Sequence, residues 1–298
     1  MSQRQSAPDL SRFRTSPVSF ASRSGRLTTG QQRAWDTRRD VYLVDVPRHV
    51  GRMSVDPAWR FDAAAVFGRT APLVLEVGSG QGDAIVTAAA GDPGRDYLAV
   101  EVYRPGVAQV MVRADRAAQE RAARTHEADA GGDDAAGDPV AGDSVAGDPR
   151  AGVDVAGVDA AGGDGVGDGP GLPNLRVMQV NAAELLDTAI PAGSLDEVWT
   201  FFPDPWHKSR HRKRRLVAPA FAEKVTRALR PGGLWRLATD WAAYAEQMFD
   251  VLEAAPALRN AHGPRTAAPR FEGRIVTGFE RKAHKAGRDI TDLTYIRD

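Results

Sequence analysis

The chain of 298 residues contains no cysteine, which removes disulfides and thiolate metal ligation from consideration. No apolar run approaches the roughly 18 residues a membrane helix needs. The N-terminus also lacks the apolar core of a secretory signal, so a cytoplasmic protein is expected. Charge of one sign is missing overall, with 39 Lys and Arg against 39 Asp and Glu, but this balance hides a segregation. Residues 127–170 hold eleven acids and the single base Arg150, which leaves 38 bases against 28 acids elsewhere. That excess favours an anionic macromolecular partner over a small neutral substrate. The histidines at 49, 126, 262 and 284 show no ligand spacing, so no metal is expected.

What is present is one large domain with two atypical segments. The first 40 residues carry eight Arg and few large apolar side chains, which reads as a flexible basic arm over residues 1–45. Between 135 and 169 an Ala/Gly/Asp/Val pentad repeats without any aromatic residue. Such a composition cannot bury enough apolar surface to offset its ordering entropy, so residues 127–171 read as a disordered insertion in a domain spanning 46–298. A calcium-binding solenoid is a poor alternative, because the nonapeptide spacing is missing. From Leu73 onward, short apolar runs at 73–77, 97–102, 175–180, 198–202 and 234–238 alternate with helical patterns at 84–90, 105–124, 182–186, 218–229 and 241–253. Strand alternating with helix predicts an α/β fold whose parallel sheet carries helices on both faces. Arg230-Pro231-Gly232-Gly233 reads as a sharp helix stop.

Two motifs carry chemistry. The run Leu75-Glu76-Val77-Gly78-Ser79-Gly80-Gln81-Gly82-Asp83 lies between a predicted strand and helix, and Glu101 ends the next strand 19 residues after Gly82. Glycines at 78 and 80 let backbone approach a ligand closely, while an acid in that second position can hold two ribose hydroxyls. A nucleoside cofactor fits. Asp83 stands where a dinucleotide loop wants its third glycine, and an acid there repels pyrophosphate but tolerates a sulfonium and ammonium. S-adenosylmethionine is therefore favoured over a dinucleotide.

The second motif is Phe201-Phe202-Pro203-Asp204-Pro205-Trp206-His207-Lys208, followed by Arg210, Arg212, Lys213, Arg214 and Arg215. Each proline fixes its own φ and restricts the residue before it, so the Asp204 carboxylate is held rigidly. The cationic run beside it suits phosphates. A solvated helix start is the plainer alternative. Trp206 is a candidate to line a base pocket, whereas Trp199, Trp235 and Trp241 read as core.

Together these residues resemble the bacterial tRNA (guanine-N7-)-methyltransferase family, from about Arg12 to the C-terminus apart from the insertion. The resemblance is carried by Ser24-Gly25-Arg26-Leu27-Thr28, the glycine loop with Glu76, Glu101-Val102 with Pro105-Gly106-Val107, and Asn174-Leu175-Arg176-Val177. It continues through the Asp204 motif with its basic run, Ala238-Thr239-Asp240-Trp241, Tyr244-Ala245-Glu246 and Thr277-Gly278-Phe279-Glu280-Arg281. It implies a Rossmann-like, mostly parallel doubly wound sheet that moves the methyl of S-adenosylmethionine to N7 of a guanosine in the variable loop of tRNA. It implies cofactor contacts at Glu76, Glu101, Asn181 and Asp204, and substrate contacts at Lys208, Asp240, Thr277, Gly278, Phe279 and Glu280. Many bacterial members carry Asp at the Asn181 position, a departure that bears on cofactor affinity.

N7 of guanine has an in-plane lone pair and loses no proton on attack, so alignment and exclusion of water suffice. Asp204 then orients cofactor or base, while Asp240 reads the guanine edge, caps the helix after it, or does both. The rival readings are a methyltransferase for small amines or protein, and a non-catalytic RNA-binding subunit. Monomer and homodimer are both left open.

Overall fold

The computed structural model describes residues 25–49, 51–130, 169 and 171–298. The first 24 residues of the expected arm and most of the expected insertion, 131–168 and 170, lie outside the described residues. In chain order the elements are α1 (Thr29–Tyr42), α2 (Ala63–Phe67), β1 (Leu73–Val77), α3 (Asp83–Gly91), β2 (Asp96–Val100), α4 (Arg104–Ala130), β3 (Leu175–Met178) and α5 (Ala182–Thr188). There follow β4 (Leu195–Phe201), a 3₁₀ turn (Ser209–Arg214), α6 (Pro219–Ala228), β5 (Leu229–Thr239), α7 (Ala242–Glu253), β6 (Leu258–Asn260), α8 (Gly278–Lys285) and β7 (Thr291–Arg297).

The strands form one sheet in the order β3-β2-β1-β4-β5-β7-β6. The first five are parallel to one another, and β7 runs antiparallel to both β5 and β6. Alternation along each strand splits the core. Leu73, Leu75 and Val77 of β1 pack with α5, α6 and α7 on one face, while Val74 packs with α3 and α4 on the other. The order reverses at β1 and β4, and in an open α/β sheet ligands bind beyond the carboxyl ends of the strands at such a point. The glycine loop after β1, Glu101 after β2 and the Asp204 motif after β4 all leave that edge.

The structure corrects one expectation and refines two others. Residues 29–42, read as the end of a flexible arm, form α1 instead. A capping box starts it, with Thr28 Oγ1 accepting from Gln31 N and Gln31 Oε1 accepting from Thr28 N. Ala34, Arg38 and Tyr42 are buried on its inner face, and Arg38 pairs with Asp115 of α4 at 2.7 Å. The exit of α1 then joins the outer edge of β3, where Val44 N donates to Val177 O at 2.9 Å. The Arg230-Pro231-Gly232-Gly233 stretch follows the helix end directly, as expected, since α6 ends at Ala228 with Leu229 as its C-cap; it also opens β5, where the register against β4 shifts between Leu195 and Glu197. Finally, β6 and β7 add an antiparallel rim that the βα alternation did not reveal.

Candidate active site

Gly78, Gly80 and Gly82 all have positive φ, at 71°, 56° and 80°, which side chains with a Cβ adopt at a cost. They serve different ends. A Cβ on Gly82 would stand 2.8 Å from Val110 Cγ2, so that glycine lets α3 pack on α4. A Cβ on Gly78 would meet nothing within 4 Å, and one on Gly80 only Gly78 O at 4.0 Å. The open side of the loop is thus a cradle. Its back is closed by Gly106 in the first turn of α4, whose missing Cβ would lie 2.6 Å from Gly80 O.

Glu76 and Glu101 flank this cradle. Glu101 Oε2 accepts from Gly80 N at 2.9 Å, and Oε1 accepts from Val102 N at 2.7 Å and Tyr103 N at 2.8 Å. Oε2 keeps a lone pair for a further donor, whereas both sites of Oε1 are taken. Burial raises the Glu101 pKa against the lowering effect of those three N–H groups, and the charge of Asp204 adds to the rise. Glu76 is 4% exposed, and its Oε2 has no partner. Burial, with lesser repulsion from Asp83 and Glu101, pushes its pKa up to about 8. Carboxylates that raise one another's pKa form a site in want of a cation.

Asn181 sits at the end of the β3 connection as the N-cap of α5, with Oδ1 accepting from Ala183 N at 2.9 Å and Glu184 N at 3.4 Å. The cap occupies the oxygen and leaves the amide nitrogen outside it. Asp204 is exposed and lies within electrostatic reach of Glu101 and Tyr244. It is flanked by backbone strain, since Phe202 has φ 49° and Trp206 φ 44°. Bulky L-residues at such φ cost on the order of 1–2 kcal/mol each, a cost that recurs at functional sites. The Trp206 indole N–H is buried without a partner, and its ring lies under the Arg214 guanidinium at 5.1 Å and edge-on to His211.

The basic run does not act as one unit. Lys208, Arg210, Arg212, Lys213 and Arg214 are exposed on or beside the 3₁₀ turn. Arg215 is not: it is 3% exposed, its Nε donates to Pro205 O at 2.9 Å, and Nη1 donates to Ala243 O and Gln247 Oε1, both at 2.9 Å. The expectation of a phosphate contact at Arg215 is therefore corrected, because its guanidinium is buried, with Nε and Nη1 spent inside the fold and Nη2 buried beside them without a partner.

On the β5 side, Asp240 does not cap α7, whose N-cap is Trp241; it pairs with Arg288 Nη2 at 2.9 Å. Thr277 caps α8 by accepting from Glu280 N at 3.3 Å, and both side chains are buried. Glu280 faces Arg274 Nη1 at 2.6 Å, and Arg274 Nε meets Asp292 at 2.7 Å. The Thr277 and Glu280 side chains are thus committed to the fold. Gly278 opens α8, and the Phe279 side chain lies outside the described residues. A depression lined by Arg270, Arg274, Glu280, His284, Arg288 and Asp292 opens here. Arg274 carried no signal in the sequence, whereas Thr28 with Gln31 is a readable capping box. Among the described residues no group of His, Asp and Glu is arranged to hold a metal.

The family model described as "Putative methyltransferase" matches residues 70–130 and 154–293. The chain is similar to a tRNA (guanine-N(7)-)-methyltransferase of Paenarthrobacter aurescens (strain TC1), with 37% identity across 94% of this chain and 91% of that one. It is 38% identical to the enzyme of the same name from Arthrobacter sp. (strain FB24), over 94% and 86% of the two chains. The corresponding protein of Cutibacterium acnes is 40% identical over 96% and 85%.

Proposed function

The chain belongs to the tRNA (guanine-N(7)-)-methyltransferase family, and from that membership we infer that it transfers the methyl group of S-adenosylmethionine to N7 of a guanosine in tRNA, in the variable loop. One observation from the fold carries the reading: a buried, unpartnered carboxylate oxygen of Glu76 stands beside an open glycine cradle ringed by Glu101 and Asp204. Three carboxylates suit a ligand bearing an ammonium and a sulfonium. They oppose the pyrophosphate of a dinucleotide.

The residues fit the cofactor part by part. Glu76 Oε2 would accept from the ammonium, the spare lone pair of Glu101 Oε2 from a ribose hydroxyl, and the Asn181 amide would donate to the adenine edge. When bound, the cofactor supplies an electrophilic methyl group on sulfur. The protein's task is alignment: Gly78 and Gly80 admit the ligand, and Asp204, held between two prolines, orients a donor group on the cofactor or the guanine. Guanine N7 would accept the methyl through its in-plane lone pair and loses no proton in doing so, so no residue of the chain need act as a base.

Lys208, Arg210, Arg212, Lys213 and Arg214 present the phosphate-binding surface, with Trp206 at its root beside Asp204. The polar depression at Asp240, Arg288 and α8 is the candidate seat of the guanine edge. The catalytic unit spans 25–130 and 169–298, and the enzyme works in the cytoplasm, where its substrate is.

Incubating the protein with unmodified tRNA transcript and methyl-labelled cofactor, then digesting to nucleosides, tests this reading. Label in 7-methylguanosine is expected. Label confined to another nucleoside, or to protein, would replace it with one of its rivals.

A further inference from the structure

We propose that Arg215 and Arg274 are positioning residues for methyl transfer, which grip the two ends of the loop 202–206 from opposite sides and so fix Asp204 against Glu101. The proposal rests on the methyltransferase reading above. The loop's own sequence disfavours its shape. Phe202 precedes a proline, which biases it to extended conformations, yet its φ is 49°, and Trp206 at the other end has φ 44°. Such a conformation persists only where its surroundings over-determine it.

The surroundings are two buried guanidinium groups. At the first end, Phe202 N donates to Ala238 O at 2.8 Å, and the Phe202 ring lies 5.6 Å from the Arg274 guanidinium. Arg274 is 1% exposed and is itself immobilised by Glu280 and by both oxygens of Asp292, at 2.7 and 2.9 Å. At the second end, Arg215 Nε holds Pro205 O, the carbonyl immediately before Trp206. Arg215 also reaches Ala243 O, Gln247 Oε1 and the ring of Tyr244, 4.7 Å from the guanidinium. Tyr244 in turn accepts from Val217 N at 3.0 Å and senses the charge of Asp204. Between Phe202 and the Pro205 carbonyl stand only Pro203 and Asp204. The planar fork of Arg reaches several acceptors in one plane, and a lysine ammonium does not reproduce it.

The test compares Arg215→Lys and Arg274→Lys, which keep the charge and lose the fork, with the parent protein. Methyl-transfer kinetics on tRNA, tRNA binding as a function of salt, thermal melts and hydrogen exchange at the Phe202 amide are measured together. For folded variants, kcat is expected to fall 10- to 100-fold, with KM for tRNA and the salt slope within twofold of the parent. Faster exchange at Phe202 is expected in Arg274→Lys. Unchanged kcat in both folded variants overturns the proposal, and a reduced salt slope in Arg215→Lys returns that residue to phosphate binding. Should either lysine variant fail to fold, Phe202→Leu decides, since it removes the ring while leaving both buried cations paired. A fall in kcat with intact tRNA affinity upholds the clamp, and normal kcat overturns it. If the parent itself transfers no methyl to tRNA, the functional reading fails, and the exchange rate still reports whether the clamp exists.

Discussion

At the scale of single residues, Glu76 separates what a sequence can say from what it cannot. Its place in the glycine motif marks it as a ligand contact, but only the fold reveals that its Oε2 is buried without a partner and its pKa is raised to about 8. The consequence for stability has a definite sign. Below pH about 4.5 the folded and unfolded forms are both protonated, and between there and pH about 8 the folded protein keeps a proton that the unfolded chain has released. Stability therefore falls as pH rises through this window, by on the order of 5 kcal/mol at most. Glu76→Gln is expected to flatten the dependence of Tm on pH in the absence of cofactor and to melt above the parent at pH 8.5. Parallel Tm curves from pH 5 to 9 would contradict the burial argument. Cofactor affinity moves the opposite way, since an ammonium needs the ionised acid: calorimetry is expected to show tighter binding as pH rises toward 8, and a flatter profile in Glu76→Gln. Arg215 is the converse case. In the sequence it is one more cation in a run, and nothing there marks that it turns inward while its neighbour Arg214 stays exposed. Arg274 stands in no motif: its partner Asp292 lies on β7, which pairs with β5, and its partner Glu280 lies in α8.

At the scale of elements, the parallel strands were legible because burial on both faces demands continuous apolar runs, as in Leu73-Val74-Leu75. The element α1 was not. Its buried positions 34, 38 and 42 keep helical spacing, but they are filled by Ala, Arg and Tyr, so the stripe carries almost no apolar signal. Arg38 is paired there with Asp115, which lies 77 residues away and has a side chain 3% exposed, and it also donates to Gly169 O. Arg38→Ala leaves Asp115 without its cation, which should cost about 3–5 kcal/mol. For a domain of this size that corresponds to a Tm lower by about 10 °C, readable by circular dichroism. The 3₁₀ turn makes a different prediction. Arg212→Ala with Arg214→Ala is expected to weaken tRNA binding and to reduce the slope of log K against log salt by roughly 0.7 to 0.9 for each phosphate no longer neutralised. An unchanged slope would move the phosphate grip to α8 or to the segment before α1.

At the scale of the whole molecule, the acidic repeat stands between the end of α4 at Ala130 and the amino end of β3 at Leu175, whereas Asp204 follows the carboxyl end of β4, the edge where an open α/β sheet binds ligands. Its exit is anchored, since Arg38 Nη2 donates to Gly169 O at 2.8 Å and Leu172 N donates to Tyr42 Oη at 3.1 Å. Replacing 131–168 with a short Gly-Ser link, while keeping Gly169 onward, should leave Tm and methyl transfer nearly unchanged, because closure entropy grows slowly with loop length. A tenfold loss of activity in a folded variant would mean that the segment reaches the active face. The junction of α1 with β3 has one more implication. A sheet ends in two rows of unpaired backbone groups that can recruit strands from other molecules. Here β6 is only three residues long, with Arg259 at its centre, and Val44 lies along the rim of β3. Removing the chain up to Val44 would thus uncover Leu175–Met178 as a sticky margin, and the expected product is insoluble aggregate rather than a soluble, inactive enzyme.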